Sequence, residues 1–159
     1  MPHVAADRTV IADQVRSARE ALTEDLGGLR AEQWDVPSLC AGWTVRDVVA
    51  HLVLLDRYEC VPTVWVAGVL RAGFRPNRFM AQDAKRLAER LSPDALVAAL
   101  CGSKPEQRWI WLHHPAPDML LGEFVLHGMD VRRPLAMPDR DPAPGSRRSR
   151  TSWCGPSRE

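Results

Sequence analysis

The chain lacks any run of about 18 consecutive apolar residues, and its start, MPHVAADRTV, has no apolar stretch of the kind that directs secretion. Both absences argue against a spanning helix and predict a soluble, cytoplasmic protein with no membrane partner. Cysteine is sparse and unpaired in pattern. The four, Cys40, Cys60, Cys101 and Cys154, form no C-x-x-C, so neither a zinc ribbon nor a dense disulfide framework is indicated, and reduced, incidental thiols are expected. Charge of one sign is also missing. Lys and Arg number 21 against 20 Asp and Glu, a net +1, and no basic stripe precedes the C-terminal tail, so a general nucleic-acid binder is disfavoured. No segment alternates apolar and polar residues as a half-buried strand does, and no repeat of supersecondary length is found.

What the sequence does carry is helical periodicity. With 159 residues, 45% of them hydrophobic, one domain with an ordinary core is expected. Residues 8–27 space Ile11, Val15, Ala18, Leu22 and Leu26 along one face and stop at Gly27-Gly28. The connection LRAEQWDVPSLCAGW has no sustained period and should pack Trp34 and Trp43 onto the helices. Thr44 and Asp47 form a capping-box variant, which predicts a second helix from Val45. On it Arg46, Ala50 and Arg57 are expected to face solvent, Val48, Leu52 and Leu55 the core, and His51 the inward shoulder. Glu59 falls on the same inner arc or else reaches water at the helix end. Pro62 should interrupt that helix, with a further segment running to Gly68 or Gly73. A helix over 77–91 follows, with Phe79, Ala84, Leu87 and Leu91 inward. Ser92 and Pro93 then mark the start of another that stops at Gly102. Residues 103–117 read as a loop, and adjacent His113 and His114 in it are expected to make a poor chelate, because adjacent side chains diverge on most backbones, and to have a structural or surface role.

The segment LLGEFVLHGMDV, residues 120–131, is different in kind. At about 100° per residue, its ionisable side chains Glu123, His127 and Asp130 fall on one narrow stripe. Leu121, Val125 and Met129 occupy the side where a surface helix would carry charge, so burial nearly all round is expected. Charge buried without a partner is costly, and a Glu and a His four residues apart could share a cation. His51 could supply a third ligand from the second helix. Two histidines and one carboxylate leave a fourth position open and suit zinc, although iron(II), manganese or nickel would accept the same donors. Asp130 either orients an imidazole from behind or pairs with Arg132 or Arg133. The expected architecture is an all-α, antiparallel four-helix bundle over residues 1–137. The remainder, 138–159, is a Pro-, Arg- and Ser-rich tail that should be disordered or loosely attached, its Arg147, Arg148 and Arg150 solvated.

The pieces GWTVRDVVAHL, residues 42–52, and GEFVLHGMDVRRPL, residues 122–135, resemble the two characteristic segments of the mycothiol-dependent maleylpyruvate isomerase metal-binding family, within the DinB-like bundle superfamily. The resemblance spans about residues 8–137. It implies that His51, Glu123 and His127 bind a divalent metal, usually taken as zinc, and that a thiol such as mycothiol is a cosubstrate with an electrophilic small molecule. The implied activity is thiol transfer or cis-trans isomerisation. Full isomerases of this family add a C-terminal domain that contributes to the substrate site. The tail here departs from that pattern and also fits a truncated or frame-shifted end. A metal-bound water acting as hydrolase, with Glu59 or Asp130 as base, is a second chemistry for the same ligands. A non-catalytic bundle, with a structural metal or an interaction role, is the alternative from another class. The sequence specifies no oligomeric state.

Overall fold

Apolar side chains spaced three and four apart leave water along one face of a helix, and a second helix is the usual partner for that face. The computed structural model describes residues 8–57, 62–103 and 118–140. Among these it is all-helical: α1 (Arg8–Gly27), a 3₁₀ turn (Ala31–Asp35), α2 (Val45–Arg57), α3 (Pro62–Arg71), α4 (Pro76–Arg90), α5 (Pro93–Gly102) and α6 (Asp118–Arg132). No helix among the described residues is long and apolar enough to cross a membrane. Glu59, Cys60, His113, His114, Cys154 and the tail from residue 141 lie outside the described residues.

The element starts follow from local chemistry. At α2 the Thr44 backbone N–H donates to Asp47 Oδ2 at 3.0 Å, and the Asp47 N–H returns a bond to Thr44 Oγ1 at 3.3 Å. Two otherwise orphaned donors are thereby satisfied at the mouth of the helix. At α5 the Ser92 hydroxyl accepts from the Ala95 N–H at 3.2 Å, and Pro93 occupies the first turn, where no N–H is needed. α3 ends in a Schellman arrangement, in which the Gly73 N–H bonds the Leu70 carbonyl and the Phe74 N–H bonds that of Val69, both at 3.0 Å. Gly73 has φ +67°, the left-handed conformation such an ending requires. Gly68 therefore lies inside α3 and is not its terminus. Its bare backbone sits directly against the Phe79 ring of α4, so the two helices approach closely there.

α2 is the hub. It packs against α4, α5, α6 and the 3₁₀ turn, while α1 packs against α5 and α6. From Val48 to Leu55 every α2 side chain is buried, Ala50 included. The expectation that Ala50 faces solvent is corrected, because neighbours cover α2 on more than one side. α6 departs in the opposite direction from expectation. Leu126 is exposed and Leu121, Val125 and Met129 are only half-buried, so one face of α6 meets solvent and the other meets α1 and α2. Trp34, Leu22, Leu26, Leu52, Leu96, Leu100, Leu120 and Phe124 fill the centre.

Charge also enters the core. Arg132 of α6 reaches Asp25 of α1, Nε to Oδ2 at 2.7 Å, with both side chains 5% exposed. Arg140 closes over the same carboxylate, its Nη2 lying 2.6 Å from Asp25 Oδ1, and its Nη1 meets Glu24 at 2.8 Å. Cys101 is disulfide-bonded, which corrects the expectation of four reduced thiols. The absence of a C-x-x-C spacing says nothing about which distant cysteines a helical fold brings together.

Candidate metal centre

α2 and α6 face each other, and the polar stripe of α6 lies at that seam. His51, six residues into α2 and 3% exposed, points into it. One turn of α6 supplies Glu123 and His127 to the same point. Glu123 Oε2 is 3.3 Å from His51 Nε2 and 3.3 Å from His127 Nε2. One ligand atom from each of the three lies within 4.8 Å of the others. The two imidazoles meet nearly at right angles, with centroids 5.1 Å apart. The structure thus brings together His51, Glu123 and His127 from segments 72 residues apart.

The electrostatics of this trio are set by Glu123. Hydrogen bonds first from His127 and then from His51 hold its carboxyl down at about 2, against the opposing effect of burial. For His127, burial pulls the imidazole pKa down, but the carboxylates of Glu123 and Asp130 outweigh it and the net shift is upward. His127 has a carboxylate oxygen at each ring nitrogen: Asp130 Oδ2 lies 2.9 Å from Nδ1 and Glu123 Oε2 3.3 Å from Nε2. A neutral ring whose Nδ1–H donates to Asp130 turns a bare Nε2 lone pair at Glu123. Two electron-rich atoms face each other there unless a cation lies between them, whether a proton or a metal ion.

Asp130 is placed behind His127, and the two candidate arginine partners go elsewhere. Arg132 pairs with Asp25 and Arg133 with Asp139, at 2.7 and 3.0 Å. The loop before α2 also reaches the centre, which its sequence did not suggest. Cys40 Sγ is 3.1 Å from Asp130 Oδ2 and 3.8 Å from His127 Nδ1. Burial and the adjoining Asp130 carboxylate push its thiol up to about 11, so it is a protonated donor at neutral pH. The Trp43 ring meets His51 edge to face, with centroids 5.6 Å apart. His51 Nδ1, by contrast, is buried with no hydrogen-bond partner among the described residues.

Two imidazoles and a carboxylate gathered from facing helices of an all-helical domain are a donor set that could hold a metal ion. The chain is a member of the mycothiol maleylpyruvate isomerase N-terminal domain family, which matches residues 15–132 and so includes the 3₁₀ turn, α2 to α5 and every residue of the trio. No curated protein and no solved structure matches the chain.

Proposed function

We propose that the chain binds one divalent ion, zinc in the first instance, through His51 Nε2, a Glu123 oxygen and His127 Nε2. In this reading it serves a thiol-dependent transferase or isomerase of the mycothiol type. The observation that carries the reading is the convergence of three donor atoms across the α2–α6 seam. Bonds of about 2.0–2.2 Å at tetrahedral angles place neighbouring ligand atoms roughly 3.4 Å apart. The two nitrogen-to-oxygen separations of 3.3 Å fit that spacing. The donor set leaves a fourth position open, as catalytic zinc sites do. When bound, such an ion would lower the pKa of an incoming thiol and present it as the nucleophilic form. The work of the protein's own residues is to aim. Asp130 receives the Nδ1–H of His127 and fixes which nitrogen faces the centre. Trp43 seats the ring of His51, and the apolar wall of α2 limits water on the inner side. Family membership supports a small thiol and an electrophilic substrate as the reacting pair, inside an antiparallel four-helix bundle of the DinB-like kind.

A second reading rests on a specific observation. The trio already forms a Glu–His contact network without an ion, Glu123 meeting both imidazoles at 3.3 Å, as a non-catalytic bundle with an interaction role would require. Elemental mass spectrometry of the untagged, purified chain separates the two readings. About one equivalent of metal, lost in a folded His51→Ala, Glu123→Ala double variant, is expected for a ligand set that must be complete to bind. A wild-type chain that stays metal-free after reconstitution with zinc, iron or manganese overturns the metal reading and leaves the bundle.

A further inference from the structure

The loop between the 3₁₀ turn and α2 is built as a clamp. Pro37 and Thr44 pair across its mouth. Inside, the Trp43 N–H bonds the Cys40 carbonyl at 3.0 Å, and Gly42, third in that turn, takes φ +76°, a left-handed value that glycine adopts without strain. The Cys40 N–H donates to Ser38 Oγ at 3.2 Å, and the Ser38 N–H bonds the Trp43 carbonyl at 2.9 Å. This rigid loop docks on α6 at one residue by two routes. The Leu39 N–H bonds the backbone carbonyl of Asp130 at 3.3 Å, and the Cys40 thiol bonds its side chain at 3.1 Å.

We propose that Cys40 is a positioning residue for His127: its thiol donates to Asp130 Oδ2 and holds that oxygen where it receives the His127 Nδ1–H. The same oxygen accepts both bonds, at 3.1 Å from sulfur and 2.9 Å from nitrogen. A carboxylate free to rotate would offer His127 either oxygen or neither, and the imidazole would lose its preference between tautomers. Fixed by Cys40, Asp130 keeps the proton on Nδ1 and turns the Nε2 lone pair toward His51 and Glu123. Cys40 does not join the donor trio itself, since Sγ lies beside Nδ1 while the trio meets Nε2. The functional weight of this inference rests on the metal reading above. Its geometry does not.

The test uses the full chain as wild type, Cys40→Ala, Cys40→Ser and Asp130→Asn, with folding checked by circular dichroism. The first readout needs no metal. Imidazole ¹⁵N shifts of the metal-free protein in a Glu123→Ala background, which removes the carboxylate that competes for the proton at Nε2, should at about pH 9, above the ordinary histidine range, show His127 protonated at Nδ1 while Cys40 is intact. Cys40→Ala should give a mixture, and Cys40→Ser, which keeps a donor, should restore the single form. The second readout is zinc affinity by chelator competition. Cys40→Ala should weaken it about fivefold, the worth of one modest hydrogen bond, and Cys40→Ser should recover most of that. An unchanged tautomer in Cys40→Ala overturns the proposal, and so does a thiolate-to-metal band in the cobalt(II) protein that vanishes in Cys40→Ser, because Cys40 would then be a ligand. A wild-type chain that binds no zinc defeats the metal reading alone, and the tautomer readout still decides the role of Cys40.

Discussion

His127 stands between two carboxylates, and its titration is the one most sensitive to whatever fills the centre. Glu123, held at about 2, stays ionised across the neutral and mildly acidic range. The stability it contributes is present above the ordinary carboxylate value of 4.5 and is lost only as pH falls toward 2. His127 behaves oppositely, because its pKa is raised above 6.5. In the metal-free protein its ion pairs contribute fully below that value and are lost as pH rises through the raised pKa. Thermal melts of metal-free protein should therefore show stability falling with rising pH over this window, and Glu123→Gln should flatten the profile. Zinc affinity should change in the other direction. An ion at Nε2 replaces a proton, so affinity should climb with pH by up to about tenfold per unit while His127 is still protonated. Competition titrations across the histidine range would detect it, and a pH-independent affinity would mean that His127 is not a ligand.

At the scale of elements, two contacts hold pairs of helices together. A methyl group at Gly68 would run into the buried Phe79 ring, so Gly68→Ala should push α3 from α4 and cost about 1–3 kcal/mol in chemical denaturation. A fully retained midpoint would show that the ring can swing aside. The α1–α6 seam depends on the buried Asp25–Arg132 pair. Asp25→Ala leaves a buried guanidinium without its carboxylate and should cost about 3–5 kcal/mol. Substituting both partners with apolar residues should recover much of that loss, because no buried charge then remains uncompensated. The helix starts were legible because each is dictated by atoms adjacent in sequence, Thr44 with Asp47 and Ser92 with Ala95. Which face of α2 or α6 is covered was less so. Ala50 is buried and Leu126 exposed because of how many neighbours each helix has, a property of assembly that periodicity within one helix does not contain.

For the whole molecule, the same distinction governs the site. Glu123 and His127 share a stripe by virtue of helical spacing alone, and His51 joined them through family resemblance, whereas Cys40 was passed over as an incidental thiol. Its role depends on a loop folding back onto α6, a contact between residues 90 apart that no local pattern contains. Because the trio spans α2 and α6, an ion held there would tie the hub to α6 and stabilise the packing of the two helices. Zinc at about a hundred times its dissociation constant adds roughly 2.7 kcal/mol to the folded state when the unfolded chain does not bind it. For a chain of this size that should raise the melting temperature by roughly 5–10 °C. The rise should disappear on chelation and be missing in Glu123→Gln, whose side chain keeps its shape but loses the anionic donor. An equal rise in that variant would place the stabilising ion elsewhere on the chain and separate metal binding from the α2–α6 seam.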